Sequence, residues 1–215
     1  MSKSAILIGA TGLVGSHVLE LLLKDERYNN VLVFQRRSTG ISHPKLKEHI
    51  IDFDTPNEWK DLVNGDHLYS ALGTTLKKAG SKEAQYKIDN TYQFEAAEIA
   101  SDNGTSGYAL VSSLGADADS NSFYTRIKGE LDEAVQKLNF ETTLILRPSF
   151  LDGNRDEFRL GERIGILAAK VLCKIPGLKK YHPIKAETVA KAMIDGLNNK
   201  ISGVVEGNEI LKLKD

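Results

Sequence analysis

Residues 5–23, AILIGATGLVGSHVLELLL, hold the sequence pattern that decides the fold of this chain. An apolar run typical of a buried strand is followed by three glycines, Gly9, Gly12 and Gly15, and then by apolar residues at helical spacing. Glycines at such a turn permit unusual backbone angles, close packing of helix on strand, and close approach of a pyrophosphate to bare backbone. The stretch therefore predicts a dinucleotide-binding turn, although its G-x-x-G-x-x-G spacing departs from the usual G-x-G-x-x-G fingerprint.

Short β-branched and apolar runs alternate with longer helical patterns along the rest of the chain. The predicted strands are 4–9, 30–35, 49–53, 67–72, 108–113 and 142–147, and the predicted helices between them are 15–25, 56–63, 82–104 and 122–139. Parallel strands need crossover connections, so this alternation predicts an α/β fold with a doubly wound parallel sheet of the Rossmann type.

After Pro148 the pattern changes to helices over 157–175 and 185–199 and two short strands over 203–213 that turn at Gly207 and Asn208. We therefore expect a single domain. Its dinucleotide-binding core would span 1–150, and residues 151–215 would form a small helical and β extension on the substrate side.

The composition argues against several classes of partner. Lys and Arg number 28 against 29 Asp and Glu, spread along 215 residues, so neither nucleic acid nor a membrane surface is expected as a partner. Polar residues interrupt the first apolar run, so we expect no signal peptide and no membrane segment. The single cysteine, Cys173, lies in an apolar helical pattern and indicates a reducing compartment, so we expect a cytoplasmic protein. The five histidines lack metal-ligand spacing, and no metal is expected.

The residues about twenty positions after the glycines decide which dinucleotide fits. An acidic side chain there accepts hydrogen bonds from the adenosine ribose, whereas a basic one suits the 2′-phosphate of NADP. This chain has Gln35, Arg36 and Arg37 at the end of the second predicted strand. Two guanidinium groups favour NADP(H) over NAD(H) through charge-assisted hydrogen bonds. The alternative is that both arginines belong to a solvated turn.

A second group of residues indicates carbonyl chemistry. Ser113 ends the fifth predicted strand, and Tyr124 and Lys128 are four residues apart, so they share one face of the following helix. An ammonium stabilises the phenolate form of a nearby tyrosine, and a serine hydroxyl holds a carbonyl oxygen in place. Ser112 is the alternative serine. The Tyr-x-x-x-Lys spacing recurs at Tyr181, where it spans a proline, so the spacing by itself carries little weight.

The glycine turn, VSS and YTRIK (111–113 and 124–128) and RPSF (147–150) together resemble an atypical short-chain dehydrogenase/reductase. More narrowly, three segments are similar to the Tat-interacting-protein-like branch of that superfamily. They are SALGTTLKKAGSKEAQYKID (70–89), VSSLGADADSNSFYTRIKGELDEAV (111–135) and LILRPSFLDGNRDE (144–157). The resemblance extends from Ile6 to about Leu197 and implies an NAD(P)-binding Rossmann fold.

The resemblance also implies roles for the residues that match the family's motifs. It places the pyrophosphate at Gly9, Thr11, Gly12, Leu13 and Val14, the 2′-phosphate at Arg36 and Arg37, and the adenine at Asp52 and Phe53. It places the adjoining ribose at Ala71, Leu72, Gly73 and Thr74, and the nicotinamide at Pro148, Ser149, Phe150 and Leu151. Ser113, Tyr124 and Lys128 would be catalytic, with Tyr124 and Lys128 also contacting the cofactor. Asp89 stands where many extended relatives have an asparagine. Without the resemblance, Asp52, Phe53 and Ser113 could simply be strand ends.

These features favour an NADPH-dependent oxidoreductase that reduces a small carbonyl substrate, because residues 151–215 are too few to cover a nucleotide sugar. Two alternatives remain open. One is a non-catalytic NADP(H)-binding sensor or regulator with a protein partner, which the resemblance allows. The other is an enzyme like the NAD-dependent nucleotide-sugar epimerases and dehydratases. The sequence does not decide whether the chain forms a homodimer.

Overall fold

The computed structural model of the chain describes residues 2–152 and 183–214. The helix predicted over 157–175, with Cys173, and the second tyrosine of the Tyr-x-x-x-Lys pattern, Tyr181, lie outside the described residues. The strands are β1 (Lys3–Ile8), β2 (Tyr28–Gln35), β3 (Leu46–Ile50), β4 (His67–Ser70), β5 (Gly107–Val111), β6 (Thr142–Arg147), β7 (Leu151–Asp152), β8 (Ile184–Lys185) and β9 (Gly203–Glu206). The α-helices are α1 (Leu13–Lys24), α2 (Leu76–Ala79), α3 (Lys82–Tyr86), α4 (Tyr92–Asp102), α5 (Phe123–Val135) and α6 (Ala186–Asn198).

The described strands form a seven-stranded sheet in the order β3-β2-β1-β4-β5-β6-β9, and β7 pairs with β8 separately. Every pairing in the large sheet is parallel. The predicted doubly wound α/β fold is therefore confirmed. The chain order reverses between β1 and β4, and in such sheets ligands bind at the carboxyl ends of the strands beside this reversal.

Helices cover both faces of the sheet and bury a separate apolar cluster on each. On one face, α1 and α6 pack together through residues such as Val18, Leu22, Val189 and Met193. On the other face, α4 and α5 contribute Ala97 and Leu131, and the chain after β3 adds Phe53 and Trp59. Each fully buried Val, Leu or Met contributes about 1.5–3 kcal/mol relative to an exposed position.

Two local predictions differ from the structure. Residues 56–63 form two short 3-10 turns, Pro56–Glu58 and Lys60–Leu62, instead of an α-helix. The indole Nε1 of Trp59 donates a hydrogen bond to the carbonyl oxygen of Asp52 at 2.9 Å, which ties the segment back to the end of β3.

The second difference concerns residues 203–213, where two strands were predicted. Only the first of the predicted pair forms within the described residues, as β9, and Gly207–Lys214 is a 3-10 helix. Gly207 has a φ of +52°, which turns the chain out of the sheet, and Ile210 is fully buried against the core. The apolar spacing that resembled a strand therefore reflects one buried side of a short helix.

The ends of the strands opposite the predicted site hold a buried polar network. The hydroxyl of Tyr28 lies 2.7 Å from Nδ1 of His67 and 2.7 Å from the hydroxyl of Tyr69. It also accepts a hydrogen bond from Nδ2 of Asn198 at 2.8 Å, which joins α6 to this network. Burial, and next the charge of Lys3, lower the pKa of His67 to about 4.

This network predicts that the protein loses stability in mild acid. The unfolded chain protonates His67 as the pH falls below 6.5, but the folded chain resists protonation until about pH 4. The difference removes about 3 kcal/mol from the free energy of unfolding across that window. Urea unfolding of the wild type and of His67→Gln between pH 4 and pH 8 measures it, with His17→Gln in α1 as the control. If the free energy of unfolding depends on pH in the same way in the wild type and in His67→Gln, His67 is not the source of the acid sensitivity.

Candidate active site

The glycine turn between β1 and α1 has no room for side chains at two of its three glycines. Gly9 has a φ of +85°, and a Cβ added there would lie 2.4 Å from the carbonyl carbon of Ala71. A Cβ at Gly15 would lie 2.0 Å from the carbonyl oxygen of Gly9. Gly12 closes the turn by donating its N–H to the carbonyl oxygen of Gly9 at 2.9 Å. The pattern that departed from the common fingerprint therefore serves the same packing purpose.

The amino end of α1 faces this turn and fits a pyrophosphate. Gly12 occupies the N-cap position, and no side chain caps the helix among the residues that the structure describes. Its first N–H groups and the positive end of the helix dipole are therefore available to an anion. Thr11 is exposed and Leu13 is half-buried, whereas the side chain of Val14 is buried in the core, so Val14 would contribute backbone alone.

The loop after β4 packs against the glycine turn and contains the residues predicted to line a ribose. The N–H of Ala71 donates to the carbonyl oxygen of Ile8 at 3.1 Å, which brings this loop beside the end of β1. The N–H of Thr74 donates to Oδ1 of Asp89 at 2.7 Å, and Gln85 donates to the other carboxylate oxygen at 3.1 Å. Asp89 is 1% exposed. It therefore acts as a support for the loop that holds Ala71, Leu72, Gly73 and Thr74, a role that sequence reasoning missed.

Asp89 is placed by a π-helical turn, Lys87–Thr91, inserted between α3 and α4. Turns of this kind occur often at functional sites, because the extra residue re-aims the side chains around it. The next residue, Asn90, donates through Nδ2 to the carbonyl oxygen of Ile127 at 3.1 Å. This bond joins the π turn to α5 one residue before Lys128.

The predicted adenine residues lie just beyond β3 and differ in exposure. Asp52 is exposed, and its Oδ1 accepts a hydrogen bond from the N–H of Asp54 at 2.9 Å. Phe53 is 3% exposed and stacks on Tyr92 with 5.2 Å between the ring centroids. The Phe53 ring is therefore part of the core, and its backbone remains the part of that residue able to meet a base.

Arg36 and Arg37 follow directly after β2 and are both exposed. No ion pair or hydrogen bond of either guanidinium is found within residues 2–152 and 183–214. The residues around them contact Glu48 on the neighbouring strand β3, which accepts hydrogen bonds from Gln35, Ser38 and Thr39. Both cations are therefore available to an anion at this end of the sheet.

The two serines at the end of β5 have different surroundings. Ser112 is buried and donates through Oγ to Oδ2 of Asp132 at 2.9 Å. Ser113 is half-buried, and its carbonyl oxygen accepts from the N–H of Ala116 at 3.0 Å. The hydroxyl of Ser112 is thus bound to a buried carboxylate, whereas no hydrogen bond of the Ser113 hydroxyl is found within the described residues.

Tyr124 and Lys128 lie on α5 one turn apart, at the end of the helix nearest to the loop after β5. Tyr124 is 40% exposed, whereas Lys128 is 4% exposed. Gly129 permits this placement, since a Cβ there would lie 2.2 Å from the backbone nitrogen of Ala118. The structure thus combines an accessible phenol with a nearly buried cation one turn below it.

One turn after Lys128, Asp132 is fully buried and pairs with Arg147 on β6, with 2.8 Å between Oδ2 and Nε. Nη1 of Arg147 also contacts Oε1 of Glu206 on β9 at 2.8 Å. Burial raises the pKa of Asp132, although the hydrogen bonds from Ser112 and Arg147 oppose this shift. With the bond from Ser112, the pair joins α5 and β6 to the chain after β5, next to Ser113 in the sequence and one helical turn from Lys128. An acidic residue on the buried face of α5 is the sequence signal that could have revealed it.

The predicted nicotinamide residues follow β6 and connect to both flanking elements. The carbonyl oxygen of Pro148 accepts from the N–H of Leu114 at 3.0 Å, which ties this segment to the loop after β5. The carbonyl oxygen of Phe150 accepts from the N–H of Ile184 at 2.9 Å, and Leu151 pairs with Ile184 in the small sheet. Ser149 lies between them, and the side chain of Phe150 is exposed.

All the predicted site residues thus lie at the carboxyl ends of β1 to β6 or on the helix that follows β5. Within the two described ranges, no group of three His, Cys, Asp or Glu side chains is placed to hold a metal ion. None of the helices in those ranges is long and apolar enough to cross a membrane.

Comparisons with known proteins agree with this geometry. A family model described as NAD(P)H-binding matches residues 9–200. The mitochondrial protein fmp52 of Emericella nidulans is 37% identical over 93% of this chain and 89% of its own length. The mitochondrial protein FMP52 of Candida albicans is 33% identical over 98% of this chain and 97% of its own length. These names contradict the cytoplasmic location expected above, which is therefore wrong. The fold and its motifs do not encode a compartment, and a single cysteine was too little to decide it.

Solved structures show the same fold at low sequence identity. The ADP-L-glycero-D-manno-heptose-6-epimerase of Helicobacter pylori superposes with a TM-score of 0.71 at 18% identity, covering 99% of this chain and 81% of the epimerase chain. MoeE5, solved in complex with UDP-glucose and NAD, superposes with a TM-score of 0.67 at 14% identity, covering 97% of this chain and 80% of its own. These likenesses confirm the Rossmann-type architecture, and the family match confirms the NAD(P)-binding domain that the resemblance to an atypical short-chain dehydrogenase/reductase implied.

Proposed function

The chain belongs to the NAD(P)H-binding family, and from that premise we propose that it is an NADPH-dependent oxidoreductase that reduces a small carbonyl compound. The observation that carries this proposal is the placement of accessible Tyr124 one turn from nearly buried Lys128 on α5. The names of the fungal relatives support a mitochondrial location for this activity.

The glycine turn, the loop after β4 and the segment after β6 would hold the dinucleotide, whose nicotinamide supplies hydride-transfer chemistry when bound. Tyr124 would donate its phenolic proton to the carbonyl oxygen of the substrate. The ammonium of Lys128 would stabilise the phenolate that remains, because a nearly buried positive charge interacts strongly with an adjacent negative one. Ser113 would donate a hydrogen bond to the same carbonyl oxygen and hold it near the phenol.

Exposed apolar side chains follow three neighbouring strands at the predicted ligand-binding end of the sheet and favour an apolar carbonyl substrate. Leu76, Tyr124 and Phe150 are 47%, 40% and 42% exposed, and each follows the carboxyl end of one of three neighbouring strands, β4, β5 and β6. Exposed apolar residues at one end of a sheet commonly mark a ligand-binding surface. An uncharged aldehyde, ketone or quinone matches this surface better than a nucleotide sugar with its two phosphates.

The test is the consumption of NADPH by the purified protein with a panel of aldehydes, ketones and quinones. Substrate-dependent oxidation of NADPH supports the proposal. Tight NADPH binding without turnover on any member of the panel would favour a dinucleotide sensor. NAD released on denaturation of the purified protein would favour an epimerase-like enzyme.

The proposed cofactor preference predicts the behaviour of an Arg36→Ala/Arg37→Ala double variant. We expect the wild type to bind NADPH more tightly than NADH, because both guanidinium groups are exposed and free to pair with the 2′-phosphate. The double variant should lose roughly 10- to 100-fold in NADPH affinity and little in NADH affinity, since charge-assisted bonds contribute about 1.5–3 kcal/mol. Calorimetric titration with each cofactor measures both. Equal affinities in the wild type would overturn the cofactor assignment.

A further inference from the structure

The carboxylate of Glu48 organises the turn that contains Arg36 and Arg37. Its Oε1 accepts from Nε2 of Gln35 at 2.7 Å, from the N–H of Thr39 at 2.7 Å and from the hydroxyl of Thr39 at 2.5 Å. Its Oε2 accepts from the hydroxyl of Ser38 at 2.5 Å. Gln35 directly precedes Arg36, and Ser38 directly follows Arg37. Glu48 therefore holds the chain on both sides of the arginine pair.

The hydroxyl groups of Ser38 and Thr39 also form hydrogen bonds within the turn itself. The hydroxyl of Ser38 accepts from the N–H of Gly40 at 3.0 Å, and the hydroxyl of Thr39 accepts from the N–H of Ile41 at 3.1 Å. Each hydroxyl thus donates to Glu48 while it accepts from the backbone two residues later. Loss of the carboxylate would therefore release the donors that orient the whole turn, because these hydrogen bonds form one connected network.

Within the described residues, the carboxylate of Glu48 bonds to neutral donors and not to the arginines. Every hydrogen bond described above comes from a neutral amide or hydroxyl, and no ion pair joins Glu48 to Arg36 or Arg37 within the described residues. Although partial burial opposes the effect, the bonds from Ser38 and Thr39 lower the pKa of Glu48, so it stays ionised at neutral pH. A carboxylate that is already solvated by four neutral donors in this way leaves the guanidinium groups for an external anion.

We propose that Glu48 is the positioning residue for NADP specificity: it fixes the turn 35–39 so that Arg36 and Arg37 present their guanidinium groups to the 2′-phosphate. This inference rests on the proposed NADPH-dependent function. A positively charged turn that is already ordered loses less conformational freedom when the phosphate binds, so the order supplied by Glu48 contributes to affinity. It gives no such benefit to NADH, which lacks that phosphate.

The test compares the dissociation constants of NADPH and NADH for the wild type, Glu48→Gln and Glu48→Ala by calorimetry. We expect Glu48→Ala to weaken NADPH binding about tenfold and NADH binding less than about twofold, with Glu48→Gln in between because the amide keeps one acceptor oxygen. The matched control is Glu58→Ala, which removes an exposed carboxylate at the same end of the sheet without touching the turn. In the Arg36→Ala/Arg37→Ala background, Glu48→Ala should have no further effect on NADPH affinity.

Other changes in cofactor affinity would overturn the proposal, and each would indicate a different cause. If Glu48→Ala weakens NADPH and NADH binding equally, Glu48 stabilises the fold in general and does not determine the cofactor preference. A gain in NADPH affinity would mean that the carboxylate repels the phosphate. If Glu48→Ala does not fold, Ser38→Ala combined with Thr39→Val removes the same hydroxyl donors and must show the same selective loss. A wild type without NADPH preference would instead refute the proposed function.

Discussion

The Tyr124→Phe variant is expected to lose roughly 100- to 10,000-fold in kcat, because phenylalanine has no proton to donate, and to lose much less in NADPH affinity, because only one of the predicted cofactor contacts is removed. The phenol of Tyr124 is 40% exposed at the amino end of α5, so its removal leaves no buried cavity and no buried group without a partner. Stopped-flow or steady-state oxidation of NADPH with the best substrate from the panel measures the loss.

Tyr86 supplies a matched control for that experiment. It is 39% exposed and lies on α3, which is linked to α5 through the Lys82 ammonium 5.5 Å from the ring of Phe123. Burial, and next the charge of Glu130, raise the pKa of Tyr86, so it stays protonated across the neutral range and is poorly suited to proton exchange. We expect Tyr86→Phe to retain most of the activity. Turnover in Tyr124→Phe equal to that of Tyr86→Phe would show that another group supplies the proton.

Replacing Asp132 with alanine is expected to lower the free energy of unfolding by about 3 kcal/mol, because it removes the buried partner of Arg147 and leaves that guanidinium with only the exposed carboxylate of Glu206. Asp132 is fully buried and accepts from both Ser112 and Arg147, so the variant loses two bonds and gains a cavity. Urea unfolding followed by circular dichroism measures the change.

The control for Asp132 is the outer partner of the same arginine. The side chain of Glu206 is 47% exposed, and exposed ion pairs contribute about 0–1 kcal/mol, so Glu206→Ala should change stability by less than 1 kcal/mol. If both variants lose similar amounts of unfolding free energy, the stabilisation comes from the contact of Arg147 with Glu206 on β9 as much as from its contact with Asp132. If only Asp132→Ala loses unfolding free energy, the stabilisation comes from the buried carboxylate of Asp132.

The sequence was sufficient for the parts of the site that depend on local pattern. The alternation of apolar runs predicted the parallel sheet, and glycines at a strand-to-helix turn predicted the packing that the structure shows at Gly9 and Gly15. Four-residue spacing placed Tyr124 and Lys128 on one helix face. Such features can be predicted from the sequence because each depends on a pattern within a single strand, helix or turn.

The residues that the sequence did not reveal act over longer separations. Glu48 contacts Gln35 across 13 positions, Asp89 supports Thr74 across 15, and Asp132 meets Ser112 across 20. Each is a carboxylate whose partner lies in another element, so the local sequence pattern does not identify that partner. The segment 56–63 was misjudged for a related reason, since Trp59 folds back to Asp52 and interrupts a helix that local spacing favours.

The packing of α1 against α6 has a consequence for how the chain is made. Lys3 donates to Oδ1 of Asn198 at 2.7 Å, and Arg27 pairs with Asp195 at 3.1 Å, so residues next to α1 depend on partners that lie 195 and 168 positions later in the chain. At roughly 5–20 residues per second, a ribosome needs on the order of ten seconds to deliver that partner. During that interval Val18 and Leu22 of α1 cannot pack against α6. Their apolar side chains remain exposed on the nascent chain and are accessible to a chaperone near the tunnel exit. A ribosome stalled before residue 186 should therefore hold a protease-sensitive α1.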